Sequence, residues 1–147
     1  MPRSRASASR PADVRRLVLD TNVLVRALFP GEETQSRRAA EFLAGAESGG
    51  VRLLLTPVVV AEVTYVAQSH FGALRAEVAA ALIDLLSHRA VRCLEREILQ
   101  DALGRYARSK VDFADCYLAA VALDEDAAVC SFDRDFGRFG DIRREEP

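Results

Sequence analysis

The feature that most constrains the fold of this chain is the alternation of short apolar runs with longer helical stretches. The apolar runs are continuous rather than alternating, which is typical of strands buried on both faces of a parallel sheet; they are residues 17–19, 52–55, 91–94 and 127–130. The periodicity of the remaining segments predicts helices at 21–29, 34–47, 57–70, 73–87, 95–109 and 112–124. We therefore expect an α/β fold whose helices cover the faces of a sheet.

The length and composition favour one domain, because 147 residues of which 50% are hydrophobic can bury a sizeable core. Residues 1–16 are rich in Arg, Ser and Ala and lack the apolar stretch of a secretory signal, so they are expected to form a disordered basic tail, with a transit peptide as the alternative. Residues 17–147 are expected to form the domain. The apolar runs are too short to cross a bilayer, so no transmembrane segment is expected.

Charge and cysteine content narrow the class of protein. A net charge of −2 argues against a domain that coats nucleic acid indiscriminately. Local basic clusters remain, such as Arg105, Arg108 and Lys110, and either surface solvation or phosphate contact explains them. The cysteines lack metal-type spacing, so we expect buried thiols, a reducing compartment and a cytoplasmic location.

Asp20 stands at the end of the first predicted strand, in the stretch "LVLDTNVLV". In open α/β sheets the ligand cleft lies beyond the carboxyl ends of the strands. Asp20 could cap the following helix. Because Thr21 and Asn22 could cap equally well, the carboxylate of Asp20 is also a candidate ligand for a metal ion.

Glu62 lies inside the apolar helical stretch "VVVAEVTYV". Its neighbours at helical spacing include Val58, Val59 and Val66, so we expect its side chain to be buried. An unpaired buried carboxylate costs several kcal/mol, so such a group is normally paired, protonated or bound to a metal. A buried arginine pair and a metal site are therefore both open.

Two further acidic pairs flank apolar sequence. Asp112 and Asp115 in "KVDFADCYLAAVAL" can both be explained by helix capping, but their spacing also places them on one face, with Asp115 towards a cleft and Asp112 at its rim. Asp133 and Asp135 follow the last predicted strand, where turn chemistry explains either one. Ser131 adds a hydroxyl there, and we expect three phenylalanines to anchor this loop to the core: Phe132, Phe136 and Phe139.

Acids from four separated segments would repel one another strongly if they were gathered without a cation. An oxygen-only ligand set with no nearby His or Cys selects Mg²⁺ or Mn²⁺ over zinc. Because Mg²⁺ usually keeps several waters and meets a phosphate, the set predicts phosphoryl transfer or phosphodiester hydrolysis.

The ordered motifs "LVLDTNVLV", "TPVVVAEVTYV", "KVDFADCYLAAVA" and "VCSFDRDF" resemble the PIN-domain ribonucleases, especially the VapC-type toxins of toxin–antitoxin systems. The resemblance covers residue 17 to about residue 142 and implies a three-layer α/β/α fold with a short central, mainly parallel sheet. It implies that the catalytic, metal-binding acids are Asp20, Glu62, Asp115 and Asp133. Auxiliary positions would be Asn22, Asp112, Ser131 and Asp135, with Ser131 standing where the family commonly has threonine.

The resemblance also implies an activity: Mg²⁺-dependent hydrolysis of RNA by an endoribonuclease, the toxin of a type II toxin–antitoxin pair. A cognate antitoxin and a homodimer would be its partners. Arg105, Arg108 and Lys110 are the first candidates for RNA contacts. Two alternatives stay open: a haloacid-dehalogenase-like phosphatase, and a PIN-like module that binds RNA or protein without cutting. The phosphatase family has an aspartate at the position where this chain has Asn22.

Overall fold

The computed structural model describes residues 14–29, 31 and 33–147. In this part of the chain the strands are β1 Arg15–Val18, β2 Val51–Leu54, β3 Val91–Arg92, β4 Ala128–Cys130 and β5 Arg143–Glu145. The helices are α1 Thr21–Leu28, α2 Thr34–Gly45, α3 Pro57–Phe71, α4 Arg75–Ser87, α5 Arg96–Arg108 and α6 Phe113–Asp124, and a 3₁₀ helix covers Arg134–Arg138. Every predicted helix and strand is confirmed, with ends that differ by a residue or two.

All of the strand pairs are parallel, as the continuous apolar runs predicted. One sheet has the order β1-β2-β3, and β4 pairs with β5 in a second, two-stranded sheet. The expected single central sheet is thus divided, since no ladder joins β1 to β4 within the described residues. The parallel register of β1 and β2 places their carboxyl ends, and the residues that follow them, at the same edge.

The amino-terminal boundary differs from the predicted one. Arg15 and Arg16, assigned to the tail on composition, belong to β1 and pair with Val51 and Arg52 of β2. Strand pairing uses backbone groups, so charged side chains at an exposed strand end do not prevent it. The rest of the predicted tail, residues 1–13, lies outside the described residues.

Helix α3 shows how local signals set an element's bounds. The hydroxyl of Thr56 accepts a hydrogen bond from the backbone N–H of Val59 at 3.4 Å, and Pro57 occupies the first helical position. The helix ends at Gly72, whose φ of 60° is left-handed and favours glycine. These caps place Glu62 in the second turn.

Two predictions about burial need correction. Cys116 is buried and Cys93 is partly buried, but Cys130 is exposed, and all three are free thiols. Phe136 and Phe139 anchor the loop after β4, whereas Phe132 is 74% exposed. No helix in the described ranges is long and apolar enough to span a membrane.

Candidate active site

Two aspartates occupy helix N-cap positions without capping. Asp20 precedes α1 and Asp112 precedes α6, and neither carboxylate accepts a cap hydrogen bond from the described part of the chain. Both side chains are exposed. Their carboxylates are therefore available for a ligand.

A hydrogen bond joins Glu62 to the turn after β1. The hydroxyl of Thr21 donates to Oε2 of Glu62 at 2.5 Å, and Thr21 directly follows Asp20. The prediction that Thr21 caps α1 is therefore wrong, because its hydroxyl is turned to α3 instead. We call Asp20 and Glu62 the first acidic group.

The predicted burial of Glu62 is wrong, because its side chain is exposed. Helix α3 is apolar on nearly all sides, and it buries a stripe formed by Val60, Val63, Thr64 and Ala67. The opposite stripe faces outward even though Val58 and Tyr65 are large and apolar. Neighbouring apolar residues consequently did not identify the buried face, and the observed partner of Glu62 is a hydroxyl rather than an arginine.

A second acidic group surrounds Asp115. Burial raises the pKa of the Asp115 carboxyl, and the negative charges of Asp133, Asp112 and Asp135 raise that pKa further, in this order. Acids from α6 and from the segment after β4 are thus within electrostatic reach of one another.

The segment that carries Asp133 is held by a chain of hydrogen bonds. The backbone N–H of Asp133 donates to Oγ of Ser131 at 2.9 Å, and that of Asp135 donates to Oδ1 of Asp133 at 2.8 Å. The N–H of Ser131 donates to the carbonyl of Glu145, and Arg144 donates to the carbonyl of Ser131, both at 2.9 Å. Ser131 therefore positions the backbone of Asp133, and Asp135 orients the Asp133 carboxylate.

The donor set has the chemistry of a hard-cation site, since it consists of carboxylate oxygens. A divalent cation would offset the repulsion between Asp115 and its acidic neighbours. As placed, no three His, Cys, Asp or Glu side chains of the described ranges stand close enough together to hold a metal ion. Helix α3 packs against both α1 and α6, so the two acidic groups border a common element.

Arg105 does not have the exposed position expected of an RNA contact. Its side chain is only 5% exposed, with Nε donating to Asp101 at 3.0 Å and both terminal nitrogens donating to Asp141 at 2.8 and 2.6 Å. The Arg105 guanidinium lowers the pKa of Asp141. The expectation that Arg105 binds substrate is therefore corrected: this side chain joins α5 to the segment before β5.

Arg108 and Lys110 are exposed, in contrast to Arg105. Arg108 lines a polar cleft of about 280 Å³ between α5 and residues 138–141, together with Ser109 and Arg138. Arg138 also forms an ion pair with Asp135 at 3.1 Å. The cleft therefore adjoins the second acidic group, and it is lined by arginine side chains.

A cavity of about 440 Å³ opens beside Asp20. Asn22 lines it and accepts a hydrogen bond from Nε of Arg26 at 3.0 Å, while Arg26 also pairs with Glu33 at 2.5 Å. Asn22 thus positions Arg26, a residue of this cavity that was not predicted from the sequence. The four-residue spacing of Asn22 and Arg26 along a helix was the signal that could have revealed it.

Arg75 is a second residue that the sequence did not reveal. Its Nε donates to the carbonyl of Tyr106 at 2.9 Å, another of its nitrogens donates to the carbonyl of Val111, and the guanidinium lies 3.8 Å from the Tyr106 ring centroid. Val111 directly precedes Asp112. Arg75 therefore fixes the turn that delivers the second acidic group, through contacts too distant in sequence to leave a local motif.

Parallel strands that alternate with helices, with acidic residues following the strand ends, define an α/β domain with a candidate acidic site. Residues 17–142 match the PIN domain family, and the chain belongs to that family. PIN domains are generally nucleases, and they typically use divalent metal ions. None of the curated proteins compared with the chain matches it.

Proposed function

We propose that the chain is an endoribonuclease that hydrolyses RNA phosphodiester bonds with Mg²⁺, or Mn²⁺, as its cofactor. The observation that carries this proposal is the set of three acids within electrostatic reach of Asp115, which are Asp112, Asp133 and Asp135. Membership of the PIN family supports a nuclease over a haloacid-dehalogenase-like phosphatase. A divalent cation bound here would offset the charge of a phosphate and lower the pKa of a water molecule.

In this proposal the acids that hold the cation are Asp20, Glu62, Asp115 and Asp133. The other predicted residues support them: Ser131 and Asp135 through their hydrogen bonds in the Asp133 segment, Asn22 through Arg26, and Asp112 as a further negative charge near Asp115. Thr21 orients Glu62 in the same way. The hydroxyl groups of Thr21 and Ser131 thus position the carboxylate of Glu62 and the backbone of Asp133.

In this proposal the RNA is held by positively charged side chains that are exposed to solvent. Arg108 and Lys110 are exposed, and Arg138 shares the polar cleft with Arg108. Arginine suits a phosphate because its planar fork can donate two hydrogen bonds at once. These cations would offset the repulsion between the acidic groups and the RNA backbone.

The first experiment incubates the purified chain with a labelled single-stranded RNA. We expect cleavage with Mg²⁺ or Mn²⁺, none with EDTA, and a loss of about 100-fold or more in Asp20→Asn and in Asp115→Asn, comparable to removing strong charge stabilisation. Asp124→Asn is the matched control, since Asp124 ends α6, roughly 13 Å along the helix from Asp115. Cleavage unaffected by EDTA and by both active-site substitutions would overturn the proposal.

The same samples test both alternatives. A haloacid-dehalogenase-like phosphatase would release phosphate from small phosphate esters and leave RNA intact. A PIN-like module that binds without cutting would retain RNA, with either metal, and produce no new RNA ends. Either result would replace the nuclease proposal.

We further propose that this nuclease is the toxin of a type II toxin–antitoxin pair, acting in the cytoplasm as a homodimer and restrained by a cognate antitoxin. The similarity of its motifs to VapC-type toxins supports this proposal. Expression should arrest growth, Asp20→Asn should not, and co-expression of the neighbouring gene should relieve the arrest. Cleavage in vitro without growth arrest would instead indicate a housekeeping nuclease.

A further inference from the structure

Phe132 is the one phenylalanine of its segment that the fold leaves outside the core. Phe136 and Phe139 are 2% and 8% exposed, whereas Phe132 is 74% exposed. A phenylalanine stabilises a fold by burying its ring, so a ring left in water contributes little to folding. The ring is therefore available to a ligand.

The backbone that carries Phe132 is held on both sides. Ser131 is bound through its N–H and its carbonyl to the β5 strand, and Asp133 is bound through its N–H to the Ser131 hydroxyl. Phe132 lies between these two fixed residues. Its ring is thus presented from a defined position rather than from a loose loop.

The neighbours of Phe132 define the chemistry of that ligand. Asp133 follows it directly and belongs to the second acidic group, and Arg134 comes next with an exposed cation. An aromatic face next to a phosphate-handling site is the arrangement on which unpaired bases stack. Bases inside a double helix are already stacked on their neighbours and do not offer this face.

We propose that Phe132 is a stacking platform for an unpaired base adjacent to the phosphate that is cut. This inference rests on the proposed function. It assigns a binding role to a residue outside the acidic groups.

The test is equilibrium binding of a single-stranded oligoribonucleotide containing 2-aminopurine, in EDTA so that no cleavage occurs. Base–aromatic stacking of about 1–3 kcal/mol corresponds to roughly 5- to 140-fold weaker binding by Phe132→Ala. The 2-aminopurine fluorescence should be quenched by the unsubstituted chain and by Phe132→Trp but not by Phe132→Ala. Leu123→Ala is the matched control, because Leu123 is also exposed but lies about 12 Å along α6 from Asp115.

A fully paired RNA of the same sequence should bind equally to the unsubstituted chain and to Phe132→Ala. If the unsubstituted chain cleaves and binds RNA but Phe132→Ala binds as tightly with the same quenching, the stacking proposal fails and the nuclease proposal stands. If the unsubstituted chain neither binds nor cleaves RNA, both fail. Circular dichroism of Phe132→Ala should match that of the unsubstituted chain, since the ring is outside the core.

Discussion

The hydroxyl of Thr21 donates a hydrogen bond to Oε2 of Glu62 at 2.5 Å, and this bond connects the turn after the first strand to the second turn of α3. The two residues are far apart in sequence, yet the bond brings Glu62 to the turn that carries Asp20. A hydroxyl donated to a carboxylate fixes the orientation of that carboxylate without neutralising its charge. Glu62 is thereby positioned next to that turn.

Removing this hydroxyl should weaken the metal site more than the fold. We expect Thr21→Val to reduce Mn²⁺ affinity or RNA cleavage by about 10- to 100-fold, as is usual when a group that orients a metal ligand is lost. Thr21→Ser keeps the donor and should stay near the unsubstituted level. A loss in Thr21→Ser as large as that in Thr21→Val would contradict a role that rests on the hydroxyl alone.

Asp115 should destabilise the metal-free fold at neutral pH. Burial and three neighbouring acids raise its pKa above 3.8 in the folded state, so the folded chain disfavours the charged form. Stability is therefore lost as the pH rises from the unfolded pKa through the folded pKa, and it stays low above that range. Asp115→Asn should raise the Tm at pH 7 by about 2–4 °C for each kcal/mol relieved, with no difference near pH 3.

Adding a divalent cation should make the unsubstituted chain more stable than Asp115→Asn, the reverse of the order expected without metal. Mn²⁺ should raise the Tm of the unsubstituted chain because it binds the folded state, and it should leave the Tm of Asp115→Asn nearly unchanged. Thermal unfolding with and without Mn²⁺ measures both effects. If Asp115→Asn is less stable than the unsubstituted chain in EDTA, the assignment of Asp115 to a group of mutually repelling acids is contradicted.

Arg105 and Asp141 should respond unequally to substitution. Asp141→Ala leaves the buried guanidinium with one carboxylate fewer and should lower the free energy of unfolding by about 1–3 kcal/mol. Arg105→Met leaves carboxylates that water can reach and fills the volume with an apolar chain, so its cost should be smaller. Urea unfolding at pH 7 compares the two, and the reverse order would contradict the structural role of Arg105.

The same pair predicts a pH dependence. Arg105 lowers the folded-state pKa of Asp141, so the stabilisation is present above the unfolded pKa and is lost as the pH falls through the folded pKa. The difference in unfolding free energy between the unsubstituted chain and Asp141→Ala should therefore shrink in strong acid. A difference that stays constant down to pH 2 would show that the carboxylate's charge is not involved.

Arg75 should affect the site through the turn that it holds. Arg75→Met removes hydrogen bonds to the carbonyls of Tyr106 and Val111 and should cost about 1–3 kcal/mol of stability. It should also weaken Mn²⁺ binding, because Val111 precedes Asp112, whereas Arg75→Lys should retain part of both. Unchanged Mn²⁺ binding in a destabilised Arg75→Met would limit Arg75 to a purely structural role.

The sequence predicted the elements well because their signals are local. Continuous apolar runs marked four strands, and Thr56 and Pro57 marked the start of α3. Strand β5 was missed because its residues are all charged, as an edge strand permits. The division into two sheets depends on long-range pairing, which apolar periodicity does not encode.

The features of the candidate site also divide into those that could be predicted from local sequence and those that could not. The positions of Asp20, Asp112 and Asp133 followed from strand ends and helix starts, which are readable in sequence. The exposure of Glu62 and Phe132 and the burial of Arg105 were not readable, because each depends on which face a neighbouring element covers. The amino-acid composition around a residue does not show which face of its helix or loop is covered.

The most direct test of the account is a calorimetric titration of the purified chain with Mn²⁺, repeated on Asp20→Asn and on Asp115→Asn. Asp20 belongs to the first acidic group and Asp115 to the second, so a site shared by both groups requires both carboxylates. We predict that the unsubstituted chain binds Mn²⁺ and that each single substitution weakens binding by at least about tenfold. Binding that is unchanged in either variant would contradict a metal site shared by the two groups.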